Sequence, residues 1–452
     1  MLELTYKRIL IIALPLMFGT FVQSVIIITD GAFVSELGNT AYNAVGNGGI
    51  MYVAMFMLCR GIADGTQITV AKKYGEEKNS EIGQVLFNAQ VIQVFLGILL
   101  FILLLFGASQ ITAVISKSPE IANAMGEFIR YRSWGIIFAG LQVTLVSFFI
   151  GLGKTRIIIA STLIMALTNI VLDYGLIFGH LGLPELGMKG AAVASSIAEL
   201  ITFFFLLIYA LKHKSLEKFA YSLKQKVNKQ QIKDLFILSL PLMGQGLVSL
   251  STWWVFFTMI EHLGPSQLEI AHNIRYMYFI AFIPIFGYAA ATRTYVSNLV
   301  GRNEQHLIPR IQFKIMLLSI LSIIILFHGS FLYPELLIQI VERNPDVTPE
   351  LLQESADALR FVSGSIFMFA LIIVPFHSVS ALGKTAHSFG IEVISIAIYL
   401  MACYFFIEKW NWDMVSVWWV EYIYFGCLGF LSFLYLLFYA RTKGLIKFSA
   451  PE

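Results

Sequence analysis

Charge is what this chain has least of. Of 452 residues only 13% are Asp, Glu, Lys or Arg, while 58% are hydrophobic and the mean hydropathy is +0.76. A soluble domain carries about 25% charged residues, so the composition excludes a water-soluble enzyme or a nucleic-acid-binding module and leaves an integral membrane protein. Cysteine is scarce too: Cys59, Cys403 and Cys427 stand in apolar runs with neither paired nor metal-like spacing, which reads as free packing thiols. The eight histidines show no metal-ligand spacing either. Gly153-Lys154-Thr155 and Gly383-Lys384-Thr385 lack the glycine five residues earlier that a phosphate loop needs, since Phe148 and Ser378 stand there. With no ATPase module, no enzyme motif and no cofactor signature, ion gradients are left as the power source. The first apolar run starts at Ile9 without a small-residue cleavage site, so it reads as an uncleaved span.

What the chain does have is its own sequence twice, in the same direction. Leu14-Pro15-Leu16-Met17 recurs as Leu240-Pro241-Leu242-Met243, a spacing of 226 residues. Leu37-Gly38 returns as Leu263-Gly264, Gly61 as Gly287 and Gly75 as Gly301, all at that spacing. Leu152-Gly153-Lys154-Thr155 returns as Leu382-Gly383-Lys384-Thr385 at 230. Repetition on this scale inside a membrane protein indicates a two-lobed transporter.

A spanning helix needs about 20 mostly apolar residues. Twelve stretches qualify: 9–35, 44–72, 84–108, 122–150, 157–179, 190–211, 234–262, 268–299, 311–333, 356–381, 386–407 and 414–440. The expected fold is therefore all-α, with twelve transmembrane helices in two six-helix lobes. Six spans per half return the chain to the face it started from, so the repeats are parallel. The lobes are expected at 1–211 and 234–452, joined by a Lys-rich linker at 212–233 that reads as a solvated joint.

Basic residues set the orientation. Lys7/Arg8, Lys72/Lys73/Lys78, Lys154/Arg156, Arg302/Arg310/Lys314, Lys384 and Arg441/Lys443/Lys447 fall on one side, together with the linker. The largest opposite loop, 334–355, is acidic through Glu335, Glu342, Asp346 and Glu350. Both termini and the linker are thus expected in the cytoplasm. Trp410, Trp412, Trp418 and Trp419 gather at the outer end of the last span, where an aromatic belt belongs.

Ionisable groups inside spans are expensive and point to function. Asp30 lies late in the first span, seven residues after Gln23 and on the same helix face. Asn169 and Asp173 in the fifth span are four apart and share a face too. Their shifted counterparts are Phe256, Tyr399 and Cys403, so one half keeps acids where the other keeps aromatic or apolar groups. That asymmetry favours an ion site in the first half alone. Burial disfavours the charged form of a carboxyl group, and a second carboxylate nearby disfavours it further. Such a pair can hold a proton and release it when water arrives; its oxygens with those of Asn169 suit Na⁺ equally. Arg60 and Asp64 read instead as a local ion pair. Glu199, Glu261, Glu392 and Glu421 are weaker candidates. Pro15, Pro241, Pro284 and Pro375 each free a carbonyl and kink a span. In the second half, Trp253, Trp254, Phe256, Phe257, Tyr276 and Tyr278 are candidates to line a cavity for flat cations.

Over essentially its whole length the chain resembles the multidrug and toxic compound extrusion (MATE) antiporters. The Leu-Pro kinks opening both halves, the Leu-Gly turns, the glycines of the second and eighth spans and the Gly-Lys-Thr turns carry the resemblance. Asp30 and the Asn169-x-x-x-Asp173 pattern match the DinF-like branch, and Ser195 falls where that branch has a sixth-span hydroxyl. The seventh-span Glu of other branches is replaced by Thr252, and Leu371 stands near the missing tenth-span Asp. Gln142 or Thr144 would supply a fourth-span polar partner. The resemblance implies a monomeric H⁺- or Na⁺-coupled exporter of amphiphilic, often cationic compounds, multi-pass in a bacterial inner membrane. A charge falling through 100 mV yields about 2.3 kcal/mol, enough for a tens-fold drug gradient. Two alternatives stay open: a lipid-linked saccharide flippase or narrow metabolite exporter of the same superfamily, and a scaffolding membrane protein that needs no buried acids.

Overall fold

The computed structural model describes residues 2–116, 118–341 and 347–445, and all regular structure among them is helical. The first half comprises α1 (Tyr6–Ser35), α2 (Asn39–Gly75), α3 (Asn79–Ile115), α4 (Pro119–Arg132), α5 (Gly135–Gly151), α6 (Arg156–Phe178) and α7 (Met188–Lys212). The second comprises α8 (Lys229–Glu261), α9 (Pro265–Gly301), α10 (Ile308–Phe327), α11 (Gly329–Leu332), α12 (Pro334–Val341), α13 (Pro349–Ala381), α14 (Thr385–Cys403), α15 (Met414–Val417) and α16 (Trp419–Thr442). Eleven stretches are long and apolar enough to cross a membrane, and α4 with α5 makes a twelfth, bent by 54°. The fourth span is therefore two helices rather than one rod, with the break at Ser133–Trp134. The acids Glu342 and Asp346 and the basic Lys447 lie outside the described residues.

Large apolar side chains such as Phe95, Phe106 and Phe313 are exposed, as lipid-facing positions require, while the interior combines Ile, Leu and aromatic side chains with many small and hydroxyl residues. The second helix of each half shows this most fully. From Gly287 to Leu299, α9 is buried on every side, and Gly61 to Ala71 of α2 is nearly so. A helix buried all round is the axis about which its neighbours pack.

By packing, the chain falls into two compact units: residues 18–247, and residues 2–17 with everything from Val248 onward. These boundaries differ from lobes at 1–211 and 234–452, because each half lends the start of its first helix to the other. The physical reason lies in the repeated motifs. In the first unit, Met243 of α8 packs on Gly61, where an added Cβ would come within 2.5 Å of the Met243 backbone nitrogen. In the second unit, Met17 of α1 packs on Gly287, whose added Cβ would lie 2.6 Å from Met17 Cγ. The repeated Leu-Pro-Leu-Met and the repeated glycine are two sides of one contact, made once in each unit. Gly38 and Gly264 serve another purpose: at φ 95° and 111° they turn the chain into α2 and α9, a conformation reserved for glycine.

The Lys-rich linker is more than a solvated joint. Its 3-10 turn Lys214–Phe219 buries Leu216 and Phe219 against α3, α5 and α7, and Lys154 Nζ donates to the Ser215 carbonyl at 3.0 Å. Apolar residues spaced among the lysines hold it to the first unit.

A carboxyl pair in the first unit

The inward stripe of α6 runs Thr162, Ala166, Asn169, Asp173, a three-and-four spacing that keeps all four on one face. Asp173 is fully buried and Asn169 is 2% exposed. Late in α1, Asp30 is partly buried, and its carboxyl faces that of Asp173 with Asn169 alongside. From α7, the Ser195 hydroxyl accepts a long hydrogen bond of 3.4 Å from Asn169 Nδ2. The four residues singled out by sequence thus meet in one place. Both Asp173 oxygens, Asp30 Oδ1 and Asn169 Oδ1 are buried and accept no hydrogen bond from the described residues.

Four buried oxygens converging without a donor is a costly arrangement. Two carboxylates this close do not both stay ionised without compensation. A single proton removes one charge and lets the protonated acid donate to its neighbour; a small hard cation would satisfy the oxygens in another way. No group of three or more His, Cys, Asp or Glu side chains suited to a metal ion occurs among the described residues.

Beside this pair stands a group of which the sequence singled out only Glu199, as a weaker candidate. Arg132, the last residue of α4, forms a two-pronged ion pair with Glu199 of α7, with Nη1 2.8 Å from Oε2. Its guanidinium lies 3.9 Å from the centre of the Tyr52 ring, whose hydroxyl donates to Glu199 at 3.3 Å. The Arg132 charge is close enough to act on both Asp30 and Asp173. The bend after α4 sets this residue in place, and a Cβ at Gly135 would collide with Arg132 and Glu199. Gly135, three residues after Arg132, is the one local mark of this approach in the sequence.

The other candidates are dispersed. Gln23 is exposed, and the Gln142 amide contacts Met165 Sδ at 3.6 Å. Thr144 is fully committed, accepting from Gln93 at 2.9 Å and donating to the Gly140 carbonyl at 2.9 Å. Arg60 and Asp64 form the expected local pair at 3.4 Å. Trp253 sits among Phe257, Tyr278, Phe279 and Phe282, while Trp254 and Tyr276 are exposed. Phe256 does not line open space: it is sealed between Tyr399 and Trp418, on the buried face of α8 with Thr252 and Ile260.

The MatE family profile matches residues 15–175 and 241–405. The chain belongs to the MatE family. The two matches start 226 residues apart and end 230 apart, reproducing the internal repeat, and the first contains Asp30, Asn169 and Asp173. A probable multidrug resistance protein NorM of Thermotoga maritima is 24% identical over 75% of this chain and 73% of its own length. In three dimensions the chain is similar to an outward-facing multidrug resistance MATE family transporter of the MOP superfamily, with a TM-score of 0.88 and 18% identity over 98% of this chain and 97% of that one. A MOP superfamily transporter from Pyrococcus furiosus fits equally well, with a TM-score of 0.88, 18% identity and the same coverage. These likenesses establish a twelve-helix MATE fold.

Proposed function

We propose that this MatE-family protein is an H⁺- (or Na⁺-) coupled antiporter that expels amphiphilic, often cationic compounds by alternating access. The observation that carries the reading is the Asp30–Asp173 pair, buried with unpartnered oxygens in an apolar unit. Support comes from the multidrug resistance proteins it resembles in sequence and fold. The placement of acids on α1 and α6, with Thr252 and Leu371 where other branches carry acids, favours the DinF-like branch.

In the outward-facing state, water and a cation reach Asp30 and Asp173. Their neutralisation weakens the hold on a cationic substrate, which leaves to the outside. Returning inward releases the cation to the cytoplasm, on the side of the termini and the lysine-rich linker. The helices that must bend are α1 and α8, since both pass from one unit to the other, at 17/18 and 247/248. Pro15 and Pro241 lie two and six residues before those points and have already removed a helical hydrogen bond there.

The test is ethidium efflux from proteoliposomes under an imposed proton gradient, then a sodium gradient, with wild type and Asp30→Asn. Efflux that follows one gradient and disappears in the variant supports the antiporter and names the ion. Efflux indifferent to both gradients contradicts it.

A further inference from the structure

The second unit contains a buried acid that the proposed cycle leaves idle. Glu392, on α14, is 3% exposed. Its Oε1 accepts hydrogen bonds from Ser249 Oγ of α8 at 2.8 Å and from the Tyr424 hydroxyl of α16 at 2.7 Å. Oε2 is buried and has no hydrogen-bond partner among the described residues, and no cation among them pairs with this carboxyl. The Tyr424 ring packs 5.5 Å from that of Tyr399, whose hydroxyl donates to Glu421 at 3.3 Å. Glu421 is itself 4% exposed. Tyr424 and, beyond it, Tyr399 and Glu421 are the titratable groups on this side; the remaining contact, Ser249, does not titrate.

We propose that Glu392 is a second proton-binding site of this protein, separate from Asp30 and Asp173. A lone carboxylate in an apolar bundle is retained only when something neutralises it. A proton needs only one free oxygen, and the unpartnered Oε2 supplies it. Water supplies the proton and takes it back, so no other reactant is involved. Two hydroxyls on Oε1 steady the ionised form between those events. Ser249 lies just past the point, 247/248, where α8 leaves the first unit. Ser249, Glu392 and Tyr424 all belong to the second unit, so the site is complete within it.

The site is not a copy of the first. At the repeat spacing of 230, Glu392 corresponds to Thr162, and Asp173 to Cys403. Counted from the starts of their helices, Glu392 is seven residues into α14 and Asp173 seventeen into α6, about 10 Å and about 26 Å of rise. The two sites therefore sit at different depths of equivalent helices, nearer opposite ends.

The experiment is infrared difference spectroscopy of the protein in lipid nanodiscs, stepped from acid to alkaline pH. One protonated-carboxyl stretch that comes and goes with pH should vanish in Glu392→Gln. The same stretch should persist in the Asp30→Asn/Asp173→Asn double variant. Assignment does not hang on one substitution: Ser249→Ala and Tyr424→Phe should move the stretch to higher frequency, because each strips a donor from the carboxyl. A Glu392 stretch present at every pH, or absent at every pH, overturns the proposal. The readout needs no transported drug, so it stands or falls independently of the antiporter reading.

Discussion

In the first unit Asp173 meets Asp30, with the Arg132–Glu199 pair alongside, whereas in the second Glu392 takes its hydrogen bonds, among the described residues, from the Ser249 and Tyr424 hydroxyls. The scaffold around them is repeated down to single contacts: Met243 on Gly61, and Met17 on Gly287. Duplication therefore preserved the close approaches that let helices pack and let the polar interior diverge. Packing contacts are shared because each is required for the fold. Buried charge is expensive, so it is kept only where it does something, and the two units keep it at different depths.

The comparison breaks most sharply at the acids. Asp30→Asn and Asp173→Asn should each lower gradient-driven ethidium efflux about tenfold or more, equal to ~1.4 kcal/mol of coupling. A loss of less than twofold in either would show that the first unit's pair is not the coupling site. Next in size is the ion pair peculiar to the first unit. Arg132→Met strands the Glu199 charge inside the unit and should cost about 3–5 kcal/mol of stability, while adding Glu199→Met should restore most of it. Thermal unfolding in detergent reads both, and equal losses in the single and double variants would contradict the pairing.

The shared contact is sharpened by unequal substitutions at its two copies. An alanine methyl at Gly61 meets Met243 backbone, which has nowhere to go, and should cost about 1–3 kcal/mol. At Gly287 the nearest atom is the flexible Met17 side chain, so Gly287→Ala should cost clearly less by the same thermal assay. The reverse order would mean that the flexibility of the methionine side chain does not set the cost at this contact. Smallest of all, Arg60→Ala removes a pair whose arginine is 46% exposed, and should change stability by no more than about 0.5 kcal/mol.

How far the sequence was legible follows from what each feature depends on. Spans and the repeat were readable because long apolar runs and spaced glycines are local signals, and Asp30, Asn169 and Asp173 stood out as polar groups inside such runs. The exchange of helix starts was not readable, since it depends on which glycine Met17 and Met243 each find. Nor was the break after Arg132: no proline marks it, and the apolar stretch 122–150 looked like one continuous span. Glu392 stood out only as a weaker candidate, because the hydroxyls that hold it, on Ser249 and Tyr424, lie 143 and 32 residues away.

The central claim, that Asp30 and Asp173 couple an ion to drug movement, is tested most directly by running two assays on one Asp173→Asn preparation in proteoliposomes. One measures ethidium counterflow with no ion gradient; the other measures uphill movement driven by the gradient. The account predicts that counterflow survives while uphill movement is lost, because the drug path remains and the coupling does not. Uphill movement at the wild-type level in Asp173→Asn would contradict it.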